Sequence, residues 1–162
     1  MSLFPIIHWL NATPLATSIS ESDFVFPLIE TVHVLAITLL AGTVAAVDLR
    51  LLGVILKREK VSEVAERVLP LTWIGFAVMM ITGVLLFLSE AQKSYGNMAF
   101  RVKMLLLILA GLNPLIFHST IYRSVGAWDD ALTVPRRARA AAIASLTLWS
   151  GIIIAGRAIA YF

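Results

Sequence analysis

Residues 24–47 read FVFPLIETVHVLAITLLAGTVAAV, one apolar run broken only by the ionisable side chains of Glu30 and His33 and closed by Asp48 and Arg50. A hydrocarbon core about 30 Å thick takes about 20 apolar residues of helix to cross, so this run spans a bilayer. Working outward, similar runs fall at about 68–88, 104–121 and 141–160, separated by charged or polar connections. The pattern predicts an all-α integral membrane four-helix bundle filling one domain. Residues 1–22 mix a short apolar run with Asn11, Pro14, Ser18 and Ser20, and lack a basic start. They are too short to span and fit an interfacial segment, with Trp9 at headgroup level.

Composition agrees. The 162 residues are 59% hydrophobic and 14% charged, with mean hydropathy +0.89, far from the balance of a water-soluble domain. The absence of cysteine excludes disulfides, thiolate metal sites and covalent c-type haem attachment. A pI near 9.6 raises the question of nucleic acid, but the basic residues cluster at the ends of apolar runs, where they set topology, so no nucleic-acid partner is expected. Arg50, Lys57, Arg58, Lys60, Arg67, Arg123, Arg136, Arg137 and Arg139 lie in the first and third connections, the third also holding Asp129 and Asp130. Lys93, Arg101 and Lys103 lie in the second. The excess places the first and third connections in the cytoplasm and both termini outside, which in a bacterium means a multi-pass inner-membrane protein with periplasmic termini.

Ionisable residues inside a span are costly and usually face a bundle interior, a partner or a cofactor. On the first helix, Glu30, His33, Ile37, Ala41, Val44 and Asp48 form one stripe at helical spacing, expected to face inward. Gly42 and Ala46 form a small-xxx-small pair that permits close approach of another helix or a second copy. On the third, Leu107, Gly111, Pro114, His118 and Tyr122 form a matching stripe. Gly111 leaves room for something flat, and Asn113 is a further polar group needing a partner. Arg101, Lys103 and Arg157 fall on the same side of the membrane, placed to bind two carboxylates. Histidines on two helices, a glycine at the gap and cations at one end suit haem b, with His33 and His118 as metal ligands. The same histidine also serves simply as an interhelical hydrogen-bond partner, and Arg157 also serves as a snorkelling anchor, in a protein without cofactor. Counted from span centres near Ile37 and Asn113, the two histidines differ in depth by roughly 10 to 15 Å. His8, Lys103 or His33 of a second protomer are therefore alternative second ligands.

Other chemistries find less support. Glu30 and His33 have the E-x-x-H spacing of di-iron bundles, but the second copy and the further carboxylates are missing. Met79 and Met80 with His33 suit copper(I) by softness, although adjacent methionines point apart. Phosphate-loop, zinc-protease and serine-elbow motifs are absent, which argues against a hydrolase.

The residues Glu-Thr-Val-His-Val-Leu-Ala at 30–36, Ala41 and Gly42, Ile81 to Gly83, Asp48 to Gly53 and Phe-Arg-Val-Lys-Met-Leu-Leu-Leu at 100–107 resemble the CopD and HemJ-like superfamily of small bacterial membrane proteins, in a branch without characterised members. That resemblance implies haem b bound through His33. HemJ-type relatives oxidise protoporphyrinogen, their third-helix lysine mapping to Lys103, and CopD-type relatives are linked to copper uptake. The expectation is a haem-binding electron-transfer protein or redox-complex subunit with a partner protein or quinone, Glu30 tuning His33. A porphyrin or quinone oxidoreductase, a copper-handling protein and a cofactor-free structural subunit are the alternatives.

Overall fold

The computed structural model describes residues 4–129 and 134–161; of the expected features, Asp130 and residues 1–3 of the first segment lie outside these. The described chain is helical: α1 (Phe4–Asn11), α2 (Pro14–Ser20), α3 (Val25–Leu51), α4 (Val61–Ser89), α5 (Ala91–Gly96), α6 (Met98–Thr120), a 3-10 segment (Tyr122–Ala127) and α7 (Arg136–Ala158). Helices α3, α4, α6 and α7 are each long and apolar enough to cross a membrane. Their exposed apolar flanks, including Leu35, Ile81, Leu115 and Ile154, are surface for lipid.

Each long helix runs past the apolar stretch that identified it, because backbone hydrogen bonding continues where hydrophobicity stops. Asp48 and Arg50 therefore belong to α3 and are buried. Glu63, Glu66 and Arg67 lie in the first turns of α4, and Arg101 and Lys103 in those of α6. Arg136, Arg137 and Arg139 open α7. The end of α3 is a Schellman closure. Val54 N–H donates to the Leu49 carbonyl and Gly53 N–H to that of Arg50, both at 2.9 Å, and Gly53 takes the left-handed φ of +72° that this closure requires.

Helix α3 packs along α4, α6 along α7, and α7 against α3. Between α4 and α6 the contact is a stacked pair, Phe87 on Phe100, with ring centroids 5.5 Å apart. The four long helices thus form a ring in the order α3, α4, α6, α7, each antiparallel to its neighbours, with the α4–α6 contact the sparsest. Both described chain ends lie at one end of this ring, the terminal side; the opposite end is the loop side.

At Gly75 of α4 two helix backbones meet: an added Cβ would stand 3.1 Å from the Leu40 nitrogen and 3.3 Å from the Ala36 oxygen. Gly42, expected to admit a neighbour, has nothing within 4 Å of such a Cβ. The α3–α4 contact buries Ala36, Leu40 and Met79, with Trp149 of α7 packed against them. On the loop side Leu51, Val61, Phe117, Trp128, Ala138 and Ala142 form a second apolar cluster. Ser62 donates its hydroxyl to the Asp129 carboxylate there, tying α4 to the last connection.

The first segment forms two short helices beside the terminal side. Thr13 caps α2 by accepting from Ala16 N–H. Asn11 Oδ1 accepts from Ala91 N–H at 3.1 Å and so fastens α1 to α5. Asn97 caps α6 through Phe100 N–H and donates from its amide to the Ile159 carbonyl, joining the start of α6 to the end of α7.

Candidate functional site

One layer on the terminal side draws a group from every long helix. His33 of α3 leads it. Its Nδ1 lies 2.8 Å from the Thr82 hydroxyl of α4, and that hydroxyl is 2.7 Å from the Val78 carbonyl. A hydroxyl has one proton. When that proton goes to Val78, the Thr82 oxygen accepts from a protonated His33 Nδ1, and Nε2 is then the lone pair. His33 also has a backbone hydrogen bond with Met79 of α4.

Gly83, next to Thr82, makes room for the ring: an added Cβ would meet His33 Cε1 at 3.1 Å. From α6, Lys103 comes within electrostatic reach of His33. Its stem packs over Gly156 of α7, with Nζ 3.6 Å from where a Cβ would stand. No carboxylate pairs with this ammonium among the described residues. Imidazole and ammonium sit on diagonal helices of the ring.

The other residues singled out in the sequence lie elsewhere. Glu30 is exposed beside a shallow groove of about 250 Å³ that it lines with Thr31, Val34 and Leu35; the group that orients His33 is Thr82, not Glu30. Arg101 is exposed, donating to the Tyr95 carbonyl at 3.0 Å. Arg157 is exposed and donates to the Tyr161 hydroxyl at 3.3 Å. Both are on the terminal side with Lys103. His8 is exposed on α1.

His118 is also exposed. Its Nδ1 donates to the Pro114 carbonyl at 3.1 Å, and its ring lies 4.7 Å from that of Tyr122. His33 stands eight residues into α3 and His118 twenty residues into α6, which runs the same way. At about 1.5 Å per residue the two differ in depth by about 18 Å, and the chain does not bring them together. Gly111 and His118 share a helix line with Phe100, the residue that touches α4, and both are exposed beyond that contact. Asn113 leaves this line and donates to the Ala141 carbonyl of α7 at 3.1 Å.

Two partners of the site, Thr82 and Gly156, carry no charge and no metal-ligand signature. Thr82 was visible only as part of a family resemblance, and Gly156 only through the packing of Lys103. Met79 is buried in the α3–α4 contact and Met80 is exposed, so the adjacent thioethers do point apart. Among the described residues no three of His, Asp and Glu gather to hold a metal ion.

Neither among curated proteins nor among solved structures does any match the chain. A model described as a family of unknown function, DUF6644, matches residues 23–162, and with nearly the whole chain covered, the protein belongs to that family.

Proposed function

We propose that this chain is a b-type haem protein of the bacterial inner membrane, with His33 as axial ligand, acting in electron transfer or as the membrane subunit of a redox complex. The observation that carries the reading is the 2.8 Å contact of His33 Nδ1 with the Thr82 hydroxyl across the α3–α4 interface. A hydrogen-bonded Nδ1–H and a free Nε2 are the state in which an imidazole ligates a metal, and the outer partner, here Thr82, sets its orientation. The remaining residues fit the group. Lys103, Arg101 and Arg157 offer cations on one side for two propionates, and Gly83 spares the ring from crowding. Bound haem supplies a one-electron couple; the chain's part is to hold it in an apolar setting away from water. The likeness of the first and third helices to the CopD and HemJ-like superfamily supports the same choice. The distribution of lysine and arginine supports periplasmic termini and, with them, a site in the periplasmic half of the membrane.

A second reading rests on Lys103. An unpaired ammonium in the same layer as His33 also suits oxidation of an acidic porphyrin or of a quinone, the HemJ-like activity. A copper-handling role has less support, since Met80 faces away from Met79 and Met79 meets His33 through its backbone rather than its thioether.

Absorption spectra of the detergent-purified protein, oxidised and dithionite-reduced, test the main reading for wild type, His33→Ala and Thr82→Val. The expected result is a Soret band with sharp reduced α and β bands that vanish in His33→Ala. Thr82→Val keeps the ligand but loses its orienting acceptor, and its haem affinity drops about 10- to 100-fold. A colourless wild type after haem-replete expression, or an unaltered spectrum in His33→Ala, overturns the assignment. Turnover of protoporphyrinogen would select the second reading, and copper without iron by elemental analysis the third.

A further inference from the structure

We propose that the flank of α3 around Glu30 is the docking surface for a second copy of this chain, with Glu30 of each protomer paired to Arg157 of the other. Glu30 lies five residues into a membrane-spanning helix, yet its carboxylate is exposed beside the groove formed with Thr31, Val34 and Leu35. No cation meets it among the described residues. An unpaired carboxylate facing lipid is costly, and such groups are retained where something pairs with them. The neighbouring polar groups make no such demand, because Thr31 and Thr38 give their hydroxyl protons to the Pro27 and Val34 carbonyls of their own helix.

The charges on the terminal side narrow the choice of partner. Lys93 is already paired with Glu90 at 3.3 Å. Arg101 belongs to α6, diagonal to α3, and is bound to the Tyr95 carbonyl. Lys103 points into the ring. Arg157 differs: it is exposed, it lies on α7 next to α3, and its described hydrogen bond is to a phenol rather than a carboxylate. Gly156 shares the level of Lys103 and His33, so Arg157 and Glu30 lie within about one helical turn of each other in depth.

Within the protomer the two do not form an ion pair, because Arg157 turns along α7 to Tyr161. Across a two-fold axis one residue pair occurs twice, so a single complementary match supplies two ion pairs. The planar guanidinium suits a carboxylate bidentately. Farther along the same flank Gly42 is open, and a helix of the second copy can approach there without meeting a side chain. With Arg157 paired in this way, Lys103 and Arg101 remain as the cations for the propionates of the proposed haem.

The chain contains no cysteine, which makes crosslinking direct. Glu30→Cys and Arg157→Cys, carried on two differently tagged copies expressed together, are expected to form an intermolecular disulfide in the membrane. In the cysteine-free background, Glu30→Arg alone and Arg157→Glu alone should each weaken self-association about ten-fold or more, and the two together should restore it. Circular dichroism of each variant separates lost pairing from lost folding. A wild type that stays monomeric at high protein-to-lipid ratio overturns the proposal. So does a folded single reversal that associates as wild type, or a disulfide that forms only within one chain when both cysteines share it.

Discussion

Tyr122 shows how one side chain reports its surroundings. It follows α6 on the loop side, where partial burial, then the negative charges of Glu66 and Asp129, push its phenol above the ordinary value of 10. A raised acid pKa favours the neutral form in the folded protein. Its contribution to stability is therefore complete below about 10 and disappears as pH rises through the higher folded value. Of the three tyrosines, one should ionise late when tyrosinate absorbance is followed against pH. That late component should vanish in Tyr122→Phe and move toward 10 in Glu66→Gln; a late component persisting in Tyr122→Phe would refute the assignment. Legibility at this scale depended on charge. His33 and Lys103 stood out because ionisable groups are rare in apolar runs. Thr82 did not, because threonine in a membrane helix usually turns its hydroxyl to its own backbone, and Thr82 does so as well, through Val78. Its second task, accepting from His33 across the helix gap, depends on a pairing of α3 with α4 that no spacing within either helix encodes.

At the scale of elements, hydrophobicity located four helices and missed where they end. The apolar run measures the hydrocarbon, whereas the helix continues until a cap or a turn stops it, as Gly53 stops α3. Packing was harder still to foresee. Small residues mark possible close contacts, but both Gly42 and Gly75 qualify, and the choice between them belongs to the pair of helices. At Gly75 the atoms met by an added side chain are backbone, which cannot rotate away. At Gly151 the nearest atom is a methyl of Leu106, also at 3.1 Å, and a rotamer change relieves it. Gly75→Val should therefore force α3 and α4 apart and cost about 1–3 kcal/mol, while Gly151→Ala should be close to neutral. Reversible unfolding in mixed micelles measures both. Equal losses at the two sites would mean that the approach of α3 to α4 is no firmer than that of a side chain.

At the scale of the whole molecule, the antiparallel ring decides which groups can cooperate. Neighbouring helices run in opposite directions, while α3 and α6, on a diagonal, run in the same one, so residues of these two meet only when they lie equally far from their starts. Lys103, five residues into α6, comes near the level of His33, eight residues into α3; His118, twenty residues in, stands about a dozen residues farther along. An imidazole nitrogen binds metal at about 2 Å, so two on one iron stand roughly 4 Å apart. Tilt or a kink at Pro114 does not close a gap of about 18 Å, because an α-helix rises only about 1.5 Å per residue and its shape sets the gap. The inward-facing stripes on the two helices were readable separately. Their relative height was not, since it depends on the connections at both ends. If the chain binds haem as proposed, His118→Ala is accordingly expected to leave haem content and the reduced spectrum of the purified protein unchanged, with only the contacts to Pro114 and Tyr122 lost. If it instead abolishes the spectrum that His33→Ala also abolishes, the two histidines act on one iron. Such a site must then join His33 of one chain to His118 of another, because within one chain the ring holds them apart.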